Sequence, residues 1–421
     1  MVCQMLINKR LNCGIRMVME EIPYVQSAAV GVWVRAGSVD ETERISGISH
    51  FIEHMLFKGT DLRSARQIAE DVDKIGGNIN AFTGKEATCY YIKTLGSNLE
   101  KACDILADMF LNSRFDPEEM QKEKSVILEE MKMIEDTPDE FAQDLLSENV
   151  YRGTPLERPI IGTRESLLGI SRSDILDYRN REYTRDNIVV SLAGSFDPER
   201  MCEYFEGKLA GLAPDKEEKQ ETEHSFAPSR LVRIKDVEQA HICLGVRGVP
   251  MDHELYYALA LLNNIMGGSM SSRLFQNIRE QKGLAYSVYS SSSSYVKHGM
   301  YSIYAGVASN KTEDAVRGIA EELRRLAADG VTDEELDMAK EQIKSNYIFG
   351  QENVNSRMFS NGKNILLLGR VKPPEEVIAN VDRVTMDEIG RAAELITDIT
   401  KYCGVVVARD GLELDSILKN C

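Results

Sequence analysis

The pattern of hydrophobic and polar residues predicts the same order of secondary-structure elements in both halves of the chain. Each half begins with a strand pattern, continues with an apolar helix and a β-rich stretch, and closes with amphipathic helices and a final strand. The first strand patterns are AAVGVWVRAG and AHICLGVRGV, and the apolar helices that follow them are ISHFIEHMLF and ELYYALALLNNIM. This order predicts an α+β fold with two homologous domains, in which helices pack on a largely antiparallel β-sheet.

A charged stretch that contains two prolines, APDKEEKQETEHSFAPSR, separates the two halves. It has almost no apolar periodicity, which is typical of an interdomain linker. We therefore predict an N-terminal domain over residues 1–212, a linker over residues 213–228, and a C-terminal domain of the same fold over residues 229–421.

Local patterns predict three further features of the first half. The chain opens with a strand pair around Asn12-Cys13-Gly14, and a short apolar helix runs from about Ile45 to about Phe57. A long, charged, amphipathic helical pattern runs from about Pro117 to about Asn149. Asp116 is its expected N-cap, and Pro138 is expected to break it.

Composition and charge narrow the class of protein. The formal net charge is −17, which disfavours nucleic acid and anionic membrane as partners. No apolar run approaches the roughly 18 residues of a membrane span, and the N-terminal stretch lacks the apolar core of a signal peptide. The eight cysteines are scattered without any CxxC pair, as in a reducing compartment. We expect a soluble, cytoplasmic protein.

The short helix carries three polar side chains on one face. At about 100° per residue, His50, Glu53 and His54 fall within one arc, while the apolar residues between them turn elsewhere. Two hydrogen-bonded core histidines beside an ion-paired glutamate would also produce this pattern. The chain has only six histidines, however, and His-x-x-Glu-His is the inverted zincin signature, so we predict a metal site with Glu53 beside it.

A third metal ligand has to come from elsewhere in the sequence. The long helix offers Glu123, Glu129 and Glu130. Glu123 and Glu130 share one face two turns apart, whereas Glu129 points roughly 100° away. Spacing alone leaves Glu123 and Glu130 as equal candidates.

Four segments give the chain a resemblance to the pitrilysin/insulinase family of zinc peptidases, and above all to single-chain bacterial members close to the β subunit of mitochondrial processing peptidase. The resemblance covers essentially the whole chain. Its segments are GISHFIEHMLFKGT, EKSVILEEMKMIEDTP, GGNINAFTGKEATCYYIKTL and GGSMSSRLFQNIREQKGLAYSVYS. It implies a zinc endopeptidase that hydrolyses unfolded peptides or oligopeptides inside a closed chamber, with one Zn²⁺ per chain.

The resemblance also assigns roles around the metal. The family places its third ligand about 76 residues after the second histidine, which is Glu130 here, so the implied zinc ligands are His50, His54 and Glu130. Glu123, seven residues earlier, would support the site without binding the metal. Glu53 would be the general base that activates the zinc-bound water and returns the proton to the leaving amine.

Residues of the second half are implied as well. An Arg and a Tyr seven residues apart approach the substrate in the family, and these are Arg279 and Tyr286 here. In the absence of the resemblance they would be interpreted as an exposed helix residue and a strand residue. In the family, two halves face each other, and the zinc site of one half faces the second domain of the other. Since one chain here supplies only one such half, the resemblance implies a homodimer in which each copy completes the active site of its partner.

The implied substrate site is an edge strand. The family binds peptides by adding them as a further strand, which here would engage the backbone of Asn80, Ala81 and Thr83. An ordinary sheet edge is the competing interpretation. The acidic net charge would favour basic peptides as partners.

Two other functions compete with this prediction. The chain would be a noncatalytic or partner-dependent subunit of a processing-peptidase-like heterodimer, or a metal-dependent hydrolase with another substrate. Against the first, the chain carries both the zinc motif and the Arg279 and Tyr286 pair. Against the second, the chain is much longer than small non-peptidase hydrolases with this motif.

Overall fold

The structure is a computed structural model that describes residues 5–214 and 226–419. Within these residues the strands are β1 Met5–Arg10, β2 Arg16–Glu21, β3 Ser27–Val34, β4 Asn78–Thr83, β5 Thr88–Leu95, β6 Ile188–Gly194, β7 Arg230–Ile234, β8 Gln239–Arg247, β9 Ala285–Ser294, β10 Gly299–Ala308 and β11 Cys403–Ala408.

The α-helices of the same residues alternate with these strands. They are α1 Ile48–Leu56, α2 Ala65–Lys74, α3 Leu99–Asn112, α4 Pro117–Asp136, α5 Pro138–Val150, α6 Arg164–Gly169, α7 Arg172–Glu182, α8 Pro198–Leu209, α9 Tyr256–Gly267, α10 Thr312–Asp329, α11 Asp333–Gln351, α12 Val354–Leu368, α13 Pro374–Arg383, α14 Met386–Ile396 and α15 Leu414–Lys419.

The chain forms two compact units, and each unit is built on one sheet. The first sheet has six strands in the order β1-β2-β6-β3-β5-β4, and the second has five in the order β7-β11-β8-β10-β9. Without β1 the two orders are the same, and β2/β6 and β7/β11 are the parallel pairs of otherwise antiparallel sheets. The predicted α+β class is confirmed, and the shared strand order supports a duplicated unit.

Two helices belong to the unit opposite from the one that their position in the sequence suggests. The first unit comprises residues up to 131, residues 158–214 and residues 349–372, and the second unit comprises the remaining described residues. Helix α12, from the second half of the chain, packs on β2, β3 and β6, whereas α5, from the first half, packs on β8 and β11. The two helices are thus exchanged between the units, and a single division of the chain at residues 213–228 does not describe this exchange. The predicted boundaries themselves stay a prediction, because residues 215–225 lie outside the described part.

The exchanged helix α12 covers the second face of the first sheet. Alternate residues of β3 point to opposite faces, so Val30 and Val32 join the main hydrophobic core of the unit, and Ala29 joins a smaller cluster that contains Met358 of α12. An ion pair between Arg357 and the buried Glu20 also ties α12 to β2. Both faces of the sheet are therefore covered, and the strands in its centre are buried.

The local sequence predictions agree with the structure. β1 and β2 form the predicted antiparallel pair, and the predicted apolar helix is α1. The predicted long helix divides at Pro138 into α4 and α5. The carboxylate of Asp116 accepts the backbone N–H of Glu118 and of Glu119, which is the expected N-cap.

Two whole-chain expectations also have a structural counterpart. No helix among residues 5–214 and 226–419 is long and apolar enough to cross a membrane. Most of the described cysteines are core residues, as expected: Cys89, Cys103, Cys243 and Cys403 are buried, and Cys13 and Cys202 are partly buried.

Candidate metal centre

Helix α1 is fixed to the core of the first unit by its apolar side and by its N-terminus. Phe51, Ile52 and Met55 are fully buried. Gly47 precedes the helix with φ = +89°, a conformation that glycine adopts without strain. At this end, the buried carboxylate of Glu41 accepts the backbone N–H of Gly47 at 2.7 Å and of Ser49 at 2.9 Å. The opposite, polar face of α1 is thereby held in one orientation.

The three predicted ligands lie together at this polar face. His50 and His54 are one turn apart on α1, and Glu130 reaches them from α4. One potential ligand atom from each residue lies within 4.8 Å of the other two. The side chain of Glu130 is 33% exposed, so the cluster remains accessible from solvent. It is the one group of this kind found among the described residues.

The two nitrogens of His54 face different carboxylates. Nδ1 lies 3.1 Å from Oε2 of Glu123, and Nε2 lies 3.5 Å from Oε2 of Glu130. The other oxygen of Glu123 pairs with the ammonium of Lys58 at 2.5 Å. If Nδ1 donates its proton to Glu123, the lone pair of Nε2 points toward Glu130 and is available to a metal ion. Glu123 thus contacts the imidazole from the side away from the ligand cluster.

The environment of His50 also suits metal binding. Burial, followed by the nearby His54, lowers the pKa of His50 to about 4, so the imidazole is neutral at physiological pH. Its buried Nδ1 has no hydrogen-bond partner among the described residues. An unpaired buried nitrogen costs free energy, which an additional bound group would offset. Two imidazoles and one carboxylate are the ligands of many catalytic zinc ions, so these residues fit zinc.

Glu53 lies on the same face of α1, between the two histidines in sequence. Burial raises the pKa of Glu53 above its ordinary value, and Glu130 acts in the same direction. The hydroxyl of Thr83 and the nearby His54 oppose the increase. The Thr83 hydroxyl donates to Oε2 of Glu53 at 2.5 Å. A carboxylate with a raised pKa beside a metal site is suited to accept and return a proton.

The predicted substrate strand is β4, which lies at the edge of the first sheet. It pairs with β5 on one side, so its other side is an edge within the described residues. The N–H of Ala81 is bonded to the side-chain oxygen of Asn80 at 2.8 Å. Asn80, Ala81 and Thr83 thus lie on one edge strand, as the resemblance implied. The contact of Thr83 with Glu53 was not predicted.

Arg279 and Tyr286 lie together in the second unit. Arg279 belongs to a π-helical segment, Phe275–Gln281. At its end the N–H of the next residue, Lys282, bonds to the carbonyl of Asn277 five residues earlier. The Arg279 guanidinium lies 4.7 Å from the centre of the Phe275 ring and 5.6 Å from the centre of the Tyr286 ring. Tyr286 is 76% exposed. Cation–π contacts therefore hold the two predicted residues as a pair at the surface of this unit.

Sequence reasoning missed three side chains that position the site. Lys58 lies four residues after His54, just beyond the C-cap of α1, and this closeness in sequence was a signal that its ammonium lies near the site. Glu41 and the hydroxyl of Thr83 carry no comparable signal, because their contacts depend on how the loop before α1 and the edge strand pack against the helix.

Comparison with protein families agrees with this geometry. The sequence model of Insulinase (Peptidase family M16) matches residues 16–164, and the model of the Peptidase M16 inactive domain matches residues 169–343. A Bacillus subtilis protein named as an uncharacterized zinc protease, YmxG, is 47% identical over 401 residues, which cover 93% of this chain and 96% of the relative. The chain belongs to the M16 family of peptidases. The family prediction from the sequence is therefore confirmed.

Solved structures show the same fold. A crystal structure of a peptidase M16 inactive domain from Pseudomonas fluorescens has a TM-score of 0.89 at 19% identity. The alignment covers 97% of this chain and 98% of the Pseudomonas chain. A protease from Helicobacter pylori also has a TM-score of 0.89, at 22% identity, with 96% and 99% coverage. This M16 family member thus has a relative named as a zinc protease, and its cluster of His50, His54 and Glu130 is compatible with zinc.

Proposed function

We propose that the chain is a zinc-dependent endopeptidase that hydrolyses unfolded peptides inside a closed chamber. The observation that carries this proposal is the placement of Glu53. It shares one helix face with His50 and His54, and it is hydrogen-bonded to the edge strand β4. A proton-transfer group, a metal-binding cluster and a surface for an extended peptide therefore meet at one place in the first unit.

In the proposed reaction, Glu53 transfers the proton, and the other residues of the site hold the metal. Bound zinc would polarise the scissile carbonyl and lower the pKa of a water molecule. Glu53 accepts a proton from the attacking water and later delivers it to the leaving amine as the C–N bond breaks. His50, His54 and Glu130 would hold the metal, and Glu123 would keep the His54 ring in its binding orientation. No covalent intermediate with the protein is required.

Strand addition to β4 accounts for recognition of unfolded peptides. The free edge of β4 would bind a peptide through backbone N–H and C=O groups. Such binding depends little on the side chains of the peptide. A folded substrate does not offer an unpaired strand, so it would be excluded. The side-chain oxygen of Asn80 accepts the N–H of Ala81. A peptide carbonyl that binds to this N–H therefore has to displace the Asn80 side chain.

A second copy of the chain is proposed to complete the active site. Tyr286 is exposed and Arg279, beside it, is partly buried, and together they suit contact with a peptide carbonyl that develops negative charge. In the proposed homodimer this pair serves the zinc site of the partner. Mixing an Arg279→Ala chain with a Glu53→Gln chain should restore part of the activity. Absence of rescue, with subunit exchange demonstrated, would contradict sharing.

Basic peptides are the proposed preference among substrates, since the chain carries a net charge of −17. A basic peptide should be cleaved faster than an acidic peptide of equal length at low salt, and the difference should shrink as salt is raised. Equal rates at both salt concentrations would remove the charge argument.

Hydrolysis of a quenched-fluorescent peptide tests the proposed function directly. We expect activity in the purified wild type, loss after treatment with a chelator, and recovery on addition of one equivalent of zinc. The competing function is a noncatalytic or partner-dependent subunit. Zinc bound at one ion per chain without hydrolysis of any peptide in a mixed library would favour that alternative.

A further inference from the structure

Thr83 contacts the active-site glutamate through its side chain and the edge of the sheet through its backbone. Its hydroxyl donates to Oε2 of Glu53, and it is the last residue of β4. On β4, Ile79, Ala81 and Thr83 are partly buried, whereas the residues between them are exposed. Ile79 and Ala81 pack against the core that contains α1. Thr83 thus points to the same side of the sheet as the helix that carries Glu53.

We propose that Thr83 is a positioning residue for Glu53, and that it couples binding of the peptide strand to the orientation of the general base. This inference rests on the proposed peptidase function. It adds a role that the backbone of an edge strand does not provide, because it depends on one hydroxyl group.

The Glu53 carboxylate can rotate freely unless a partner holds it. The terminal torsion of a glutamate side chain is broad, so Glu53 has no single orientation unless a partner selects one. Thr83 donates the one hydrogen bond to Glu53 that the described residues show. With Oε2 bound to this hydroxyl, Oε1 is left to accept the proton of the attacking water.

The Thr83 hydroxyl has little freedom of its own. A β-branched side chain is restricted at χ1, so the position of its hydroxyl follows that of the backbone. The backbone lies at the closed end of the β4–β5 hairpin, where Thr83 is opposite Thr88 and the N–H of Gly84 bonds to the carbonyl of Ala87 at 2.8 Å. The hydroxyl of the opposite residue, Thr88, donates instead to the carbonyl of Ala36 at 2.9 Å.

Coupling follows from the position of β4 at the sheet edge. β4 has one neighbouring strand in the described structure, and an added peptide strand would give it a second. Pairing on both sides restricts the motion of the strand, and through Thr83 it restricts the carboxylate of Glu53. A peptide that occupies the edge would therefore fix the base at the moment when the base is needed.

Three variants test the proposal. Thr83→Val keeps the shape of the side chain and removes the hydroxyl, whereas Thr83→Ser keeps the hydroxyl. We expect Thr83→Val to lower kcat by about 10-fold to 100-fold, which is the scale for a misplaced catalytic group, with KM changed by less than about 2-fold and the zinc content unchanged. Thr83→Ser should recover kcat to within about 3-fold of wild type.

Thr88→Val is the matched control, because it removes a hydroxyl from the opposite strand of the same hairpin. It should lower thermal stability and leave kcat within about 3-fold of wild type. If Thr83→Val leaves kcat unchanged, raises KM alone, or is not rescued by serine, the positioning role is wrong. An equal loss of kcat in Thr88→Val would also overturn it, because any damage to the hairpin would then suffice.

A crystal structure of zinc-loaded Thr83→Val separates this proposal from the proposed function. We expect the Glu53 carboxylate to rotate away from the orientation that it has in the wild-type crystal, or to occupy more than one. An unchanged single orientation would overturn the inference. A wild type that hydrolyses no peptide would instead count against the peptidase function, and the crystal comparison would still decide the role of Thr83.

Discussion

Glu123 and Glu130 lie two turns apart on α4, and their carboxylates contact opposite nitrogens of His54. Glu123 is 3.1 Å from Nδ1, and Glu130 is 3.5 Å from Nε2. The spacing of the two glutamates in the sequence could not distinguish them, but their positions around one imidazole do. Glu130 lies on the side that also holds His50, and Glu123 lies on the side of Lys58.

Replacement of Glu130 tests the ligand assignment. Glu130→Gln removes a charged ligand atom from the cluster, so we expect zinc to be bound well below one equivalent per chain and hydrolysis to fall by at least about 10²-fold. Metal analysis after gel filtration measures the first effect. Glu129→Gln is the matched control, since Glu129 is an exposed neighbour on the same helix, and it should retain zinc and activity. Equal zinc loss in both variants would contradict the assignment.

Replacement of Glu123 or Lys58 tests the support of His54. Glu123→Gln and Lys58→Met each disturb the chain of contacts that runs from Lys58 through Glu123 to Nδ1 of His54. We expect zinc affinity to fall by about 10-fold to 100-fold in each variant, which is the usual effect of losing a partner of a metal ligand. Competition with a chelator of known affinity provides the measurement. Unchanged affinity in both variants would show that His54 needs no such support.

The face of α1 that carries the site was predictable because helical spacing alone brings His50, Glu53 and His54 together. The break at Pro138 followed from a local pattern, and the edge position of β4 followed from the resemblance. Such features depend on residues close in sequence or on a motif with fixed spacing.

The exchange of α5 and α12 could not be predicted, because an apolar helix face does not specify which sheet it will cover. The packing of Gly362 in α12 against Trp33 of β3 is a contact of this kind. The contact between Thr83 and Glu53 was hidden for the same reason, since it depends on the register of an edge strand against a helix.

The buried carboxylate of Glu41 should make stability depend on pH. Burial raises its pKa from about 4.5 to about 7, although the N–H groups of Gly47 and Ser49 act in the opposite direction. The folded state therefore binds more protons than the unfolded state between these values, so this contribution to stability is greatest below about pH 4.5 and is lost as the pH rises to about 7. The expected size of the loss is on the order of 3 kcal/mol.

Comparison of wild type with Glu41→Gln isolates this effect. The free energy of unfolding, measured by denaturant titration between pH 5 and pH 8, should fall more steeply with pH in the wild type than in the variant. Parallel pH profiles would show that Glu41 does not titrate in this range.

Gly362 and Gly390 should respond in opposite directions to the same substitution. Both lie within helices, α12 and α14. A methyl group at Gly362 would overlap the indole nitrogen of Trp33, whereas one at Gly390 meets no atom within 4 Å. We expect Gly362→Ala to lower the free energy of unfolding by about 1–3 kcal/mol, and Gly390→Ala to raise it by roughly 0.5–1 kcal/mol. Thermal or denaturant unfolding measures both, and destabilisation of equal size in both would refute the packing of α12 on β3.

Glu53 is proposed to act as the general base beside a zinc ion. Metal content and hydrolysis of one quenched-fluorescent basic peptide, measured on the same samples of wild type and Glu53→Gln, test this role. We predict about one zinc per chain in both proteins, with kcat in the variant lower by about 10²-fold to 10⁴-fold. Hydrolysis by Glu53→Gln at a rate near that of the wild type, with zinc bound in both, would show that Glu53 is not the general base.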